Sequence, residues 1–268
     1  MYAARQNAQD AVRALAESGA DLDAQDPDGA TALQLAIINQ HYDLAALLLE
    51  HGANPNVSDS TGMTSIYAAV DMISFRSDIG RPIVPQQDKL HALDIVKLAL
   101  KHKGDPNLAL KKPILARHHG FGDGSLGEGA TPLMRAAKGP DIEAMQALLD
   151  GGAKPSLNMT KGSNAMMILA GTRAGSGGAN KASAGVRLLA QHGADVNAPD
   201  ARGDRPIHAA AQAGLNDMVK LLVELGADPN AKNGADKTAM DLVMAPGRGH
   251  HEDTAAVLRE LTTKSAAK

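Results

Sequence analysis

The chain has 268 residues, 21% of them charged, and a formal net charge of −3, so bulk electrostatics give no basis for nucleic-acid binding. It has no cysteine, which excludes disulfides, Cys-ligated zinc and thiol catalysis together. Aromatic residues make up 2% of the chain and tryptophan is absent; an enzyme core of this size is normally filled with rings, whereas an Ala- and Leu-rich chain suits many thin layers of small helices.

The opening "MYAARQNAQD" lacks the apolar segment of a secretory signal, and no run of roughly 18 apolar residues follows that could span a bilayer. Residues 1–27 read as an incomplete unit that begins inside a helix and closes on "ESGADLD". Residues 28–60 give the full pattern. A turn at Gly29 leads to Thr31 and the short apolar run "ALQLA"; "DLAALLLE" follows at helical spacing, then "EHGANPN". The same order returns over 61–110, 130–160, 161–200, 201–233 and 234–268. The closing phrase recurs as "KHKGDPN", "DGGAKPS", "QHGADVN" and "ELGADPN", in steps from Leu22 of 33, 51, 49, 41 and 33 residues. The base period is therefore 33, with insertions of 18, 16 and 8 residues.

Each phrase has a physical reading. Thr31, Thr64, Thr131 and Thr238 stand where a hydroxyl caps a helix start. Pro132 and Pro206 suit the first helical turn. Gly19, Gly52, Gly152, Gly193 and Gly226 follow the second helix, where a left-handed residue ends it. Lys103 takes that glycine's place once, and Asp236 replaces the turn glycine before the last unit.

The phrases "TPLMRA", "RPIHAA" and "TALQLA" at this period resemble the ankyrin repeat, with its signature T-P-L-H-x-A. The resemblance covers essentially the whole chain. It implies an all-α ankyrin-repeat solenoid of about seven helix-turn-helix units, forming one domain over 1–268, with protein recognition as its function. The histidine of the signature stands only at His208; Gln34, Tyr67, Met134, Met167 and Asp241 replace it. Hydrogen bonding between repeats through that position is therefore expected to fail in most units. The ring-poor composition resembles bacterial arrays, which favours an exported bacterial protein. The start at Met1 suggests a piece of a longer product.

The insertions at 73–90, 111–129 and 173–182 depart from a plain array. Such additions fall on loops, often at the binding face. The resemblance places the first and third, between paired helices, on one edge, and 111–129 on the other. Both phenylalanines of the chain, Phe75 and Phe121, lie in insertions, near Arg76, Arg81 and Arg117. Binding hot spots favour such residues. The expected partner contacts are Tyr67, Phe75, Arg76, Arg81, Arg117, His118, His119 and Phe121, with Gln34, Met134 and His208 on the inner helices. Anchoring of the loops by their own phenylalanines is the competing structural role.

Other motifs are weaker. Gly122, Gly124 and Gly127 match G-x-G-x-x-G but follow no strand and open no βαβ unit, so no dinucleotide is expected. His118, His119 and Asp123 offer too few ligands for zinc, and "GHHED" (249–253) lies several units away. The aspartates of "DLDAQDPDG" fit turns better than a calcium loop. No nucleophile elbow or isolated carboxylate pair stands out. The expectation is a monomeric, non-enzymatic module that binds a protein partner, without cofactor or metal, nucleic acid or membrane. A small-ligand or metal pocket built from the insertions, or a spacer role, is the alternative.

Overall fold

The computed structural model describes residues 1–73, 88–114, 116–117, 120–121, 126–173, 176–245 and 251–266. Among them are seven consecutive helix pairs: α1 (Tyr2–Arg5) with α2 (Gln9–Glu17), α3 (Ala32–Ile38) with α4 (Tyr42–Glu50), α5 (Ser65–Ile73) with α6 (Ala92–Lys101), α7 (Pro132–Lys138) with α8 (Ile142–Asp150), α9 (Ala165–Ala170) with α10 (Ser176–Gln191), α11 (Pro206–Gln212) with α12 (Asn216–Glu224), and α13 (Ala239–Met244) with α14 (Glu252–Ala266). Each pair is one of the seven units read from the sequence. The fold is the all-α ankyrin-repeat solenoid.

The helices begin where the repeated hydroxyls stand. Thr31 Oγ1 accepts the Gln34 N–H at 3.3 Å, and the Gln34 side chain returns a bond to the Thr31 N–H at 2.8 Å, a reciprocal cap that satisfies two free donors. Thr64 and Thr131 accept from the third residue of α5 and α7 at 3.4 Å each. In the degraded phrase "NAMMIL", Asn164 does the same for Met167 at 3.0 Å. Second helices end on left-handed residues: Gly19, Gly52, Gly152, Gly193 and Gly226 have φ between +80° and +99°. Lys103 adopts φ +65° and Asp236 +59°. The chain path therefore overrides the side chain at both, at a cost for an L residue of about 1–2 kcal/mol, less for Asp.

The chain divides into two compact units, Met1–Ala136 with Glu143–Lys154, and Ala137–Ile142 with Pro155–Lys268. In the first, Leu33, Ile37, Leu44, Leu48, Ile66, Ile95, Leu133 and Leu148 are buried; in the second, Leu169, Val186, Leu189, Ile207, Val219, Leu222 and Leu258 are. Aliphatic side chains and small alanines fill both cores, as the ring-poor composition suggests.

Two insertions differ from a plain loop. Residues 176–182 of the third are helical: they lengthen α10 to 16 residues, against nine for α4 and α12. The 111–129 insertion sits inside a turn without opening it. Leu110 N–H donates to Ala130 O at 2.9 Å and Gly129 N–H to Leu110 O at 2.8 Å, the same pair of bonds that Asp26, Gly29 and Ala30 make in a turn of ordinary length. Leu110 and Leu126 are buried at its base. Beyond it, β1 (Ala116–Arg117) pairs antiparallel with β2 (Gly120–Phe121), Ala116 opposite Phe121. The expectation of a strandless segment is corrected to this extent. An antiparallel pair of two-residue strands still makes no βαβ unit, which needs parallel strands.

Candidate functional site

The inner-helix candidates fall in the core. Gln34 and His208 are 0% exposed, Met134 1% and Tyr67 2%. They present no surface to a partner, and the expectation that they form contacts gives way to a structural role. The cause is position: each stands third in its helix, and Gln34 and His208 face the turn of the following repeat. Gln34 Nε2 donates to Met63 O and, at 3.2 Å, to Val57 O. His208 Nδ1 accepts the Arg205 N–H at 3.0 Å, which leaves Nε2 as donor to Lys237 O at 3.2 Å. Both side chains therefore join the cap of their own helix to the turn of the next repeat, with Gln34 Oε1 in the role of Nδ1; the bond to Val57 O is an addition that His208 lacks. The expected failure of this bond outside His208 is thus corrected at Gln34, because an amide carries one acceptor and one donor at nearly the imidazole spacing.

A second ladder ties the connecting turns together. Asn56 Nδ2 donates to Lys103 O at 2.9 Å while its Oδ1 accepts the Asp105 N–H at 2.7 Å. Asn107 repeats this with Gly152 O and the Lys154 N–H, at 3.1 and 2.8 Å. Asn197 does so with Gly226 O and the Asp228 N–H, at 2.9 and 3.0 Å. Asp26 Oδ1 accepts the N–H groups of Asp28 and Ala30 at 3.0 and 2.9 Å, which is the turn role expected of it.

The 73–90 insertion is held at both roots. At its exit, the Asp43 carboxylate on α4 accepts the Lys89 and Leu90 N–H groups at 3.1 and 3.0 Å. The Asp43 N–H donates back to Asp88 Oδ2 at 3.1 Å, a donor that α4 cannot satisfy within itself. Burial, with the Asp88 charge adding to it, pushes the neighbouring Tyr42 phenol up to about 12. At its entry, Asp71 in the last turn of α5 receives Arg135 Nε of α7 at 2.6 Å. Sequence reasoning missed these anchors. Asp43 and Asp88 are 45 residues apart, and a first-turn aspartate reads simply as a favourable helix start.

Of the remaining candidates, Phe75, Arg76, Arg81, His118 and His119 lie outside the described residues, and Arg117 and Phe121 are described as backbone only, one in each strand. Among the described residues no group of three or more His, Cys, Asp or Glu is placed to hold a metal ion. His251 of the second histidine pair packs on Gly214, where an added Cβ would come within 2.9 Å of the ring. No helix among the described residues is long and apolar enough to cross a membrane.

Comparison with known proteins agrees with this geometry. The mouse ankyrin repeat and SOCS box protein 16 is 30% identical over 88% of this chain and 44% of its own length, so the chain spans less than half of that relative. The ankyrin repeat domain of human ASB11 superposes with a TM-score of 0.67 at 21% identity, covering 97% of this chain and 96% of that one. An ankyrin repeat domain from Acinetobacter baumannii AYE gives 0.65 at 23% identity, over 85% and 97%. These relatives are animal and bacterial alike. The family model for ankyrin repeats matches residues 1–81 and 133–233, leaving out the whole of 111–129, and with the repeated caps, turns and inter-repeat bonds it establishes that the chain belongs to the ankyrin-repeat family.

Proposed function

We propose that the chain is a non-enzymatic recognition module that binds a protein partner through the insertions at 73–90 and 111–129. Ankyrin repeats generally act in protein–protein interaction, and the family is typically non-enzymatic. The observation that carries the finer reading is the burial of Gln34, Tyr67, Met134 and His208. With these spent on the fold, the contact residues are Phe75, Arg76, Arg81, Arg117, His118, His119 and Phe121, all in insertions. The 111–129 segment supports this reading, since it is inserted in a turn that is already closed by its own hydrogen bonds; it is not needed to complete the repeat. Long additions of this kind are usually functional.

The test is affinity capture from a lysate of the source organism. Wild type is compared with a deletion of 76–86 and with Phe121→Ala. The deletion stops short of Asp88 to keep the exit anchor intact. A protein retained by wild type and lost by either variant, with helicity unchanged by circular dichroism, supports the proposal. A partner retained equally by all three refutes it.

A further inference from the structure

The left-handed residue at Lys103 points to a second use of the molecule. Six turns close the second helices of the repeats, and five carry glycine where the backbone needs positive φ. The third carries a lysine at φ +65°. Asn7, Gln40 and Asp236 also take positive φ, so what sets Lys103 apart is the placing of a cation at a position that is otherwise glycine. The next repeat carries a matching exception. After the turn alanine or glycine, the equivalent position holds Asp21, Asn54, Asp105, Asp195 and Asp228, but Lys154 in the fourth repeat.

These two lysines are neighbours across the Asn ladder: the Lys103 carbonyl is held by Asn56, and the Lys154 amide by Asn107. Lys111 and Lys112 leave the closed turn on the same inter-repeat connection, where Lys111 N–H is fixed to Thr61 O at 2.8 Å. All four are exposed, and none enters an ion pair among the described residues. Among the described residues of the connection between α6 and α7, the carboxylates are Asp105 and Glu128. Asp105 Oδ1 is occupied by the amide and side chain of Asn107, and Glu128 is exposed. The first two repeats have the opposite character, with nine carboxylates, two arginines and no lysine in residues 1–60.

We infer that Lys103, Lys111, Lys112 and Lys154 form a docking edge for a short carboxylate-rich segment of a protein partner. The inference rests on the protein-recognition reading above and names the chemistry of the partner. An acidic peptide is favoured over nucleic acid. A peptide brings a few charges to a local edge, whereas an extended polyanion would also meet the carboxylates of residues 1–60 and the net charge of −3.

The substitutions Lys103→Gly and Lys154→Asp install what the other repeats carry, so the double variant keeps the fold. Binding of a fluorescein-labelled Glu-rich decapeptide to the full chain is measured by anisotropy in low salt. The expected result is at least tenfold weaker binding to the double variant, further loss on Lys111→Ala/Lys112→Ala, and weakening of wild-type binding as salt rises. Binding to the double variant within twofold of wild type overturns the inference, as does an oligothymidylate of equal length that binds more tightly than the peptide. Lysate capture with the double variant separates the two readings. A partner still retained while peptide binding is unaffected sinks the lysine edge alone, and a partner unaffected by the 76–86 deletion and by Phe121→Ala sinks the insertion reading alone.

Discussion

Replacing Gln34 by alanine tests whether an amide stands in for the signature histidine. The side chain is fully buried and makes three bonds: it accepts from the Thr31 N–H and donates to Met63 O and Val57 O. Truncation leaves the Thr31 N–H unpaired in a residue that is itself 2% exposed, at about 1–3 kcal/mol. Loss of the bonds to Met63 O and Val57 O and the unfilled volume each add about 1 kcal/mol. The sum is about 3–5 kcal/mol, a large share of the roughly 5–15 kcal/mol available to a domain. Gln34→His retains one acceptor and one donor in the arrangement His208 uses, and is expected within about 1.5 kcal/mol of wild type. The assay is urea unfolding followed by circular dichroism, with hydrogen exchange of the residue 31–70 amides to locate the loss, since repeat arrays can unfold in parts. A cost for the alanine variant below about 1 kcal/mol, or a histidine variant as unstable as the alanine one, would refute the reasoning.

Lys103→Gly removes the left-handed penalty but loosens the unfolded chain, so a net gain of about 0.5–1 kcal/mol and a raised Tm are expected; a lowered Tm would show that Lys103 is not strained. Asp43→Ala frees the exit of the 73–90 insertion and leaves the Lys89 and Leu90 amides without this acceptor. It should cost about 1–3 kcal/mol and speed tryptic cleavage after Arg76, and unchanged cleavage would remove Asp43 as the anchor. Tyr42 gives a pH dependence. Its phenol is held up to about 12 from 10.0 in the folded state, so above pH 10 the unfolded chain loses its proton first. The stabilisation is complete below pH 10 and declines by about 2–3 kcal/mol as pH rises to 12. Denaturation midpoints over that range should fall for wild type and fall less for Tyr42→Phe, and parallel curves would contradict the assignment.

The repeat and its period were legible in the residues because the demands behind them are local. A threonine caps the N–H groups three residues ahead, a left-handed backbone calls for glycine, and an apolar stripe at helical spacing needs a face to cover. Those requirements return every 33 residues, so seven pairs could be counted before any coordinates. Gln34 was misjudged from sequence for the converse reason. A polar residue inside an apolar run reads as a surface contact until the turn of the next repeat, 29 residues on, is seen to close over it. The Asp43–Asp88 exchange joins groups 45 residues apart across an insertion, and nothing local marks either partner. The 173–182 segment, rich in glycine and serine, has the composition of a loop, yet 176–182 continues the helix of its repeat, since helix stability in a protein comes chiefly from the packed face. The sequence by itself determined the repeated unit, its period and the caps that start its helices. Only the tertiary structure decided which polar side chains are spent inside the stack, because burial and long-range hydrogen bonds exist only once neighbouring repeats have met.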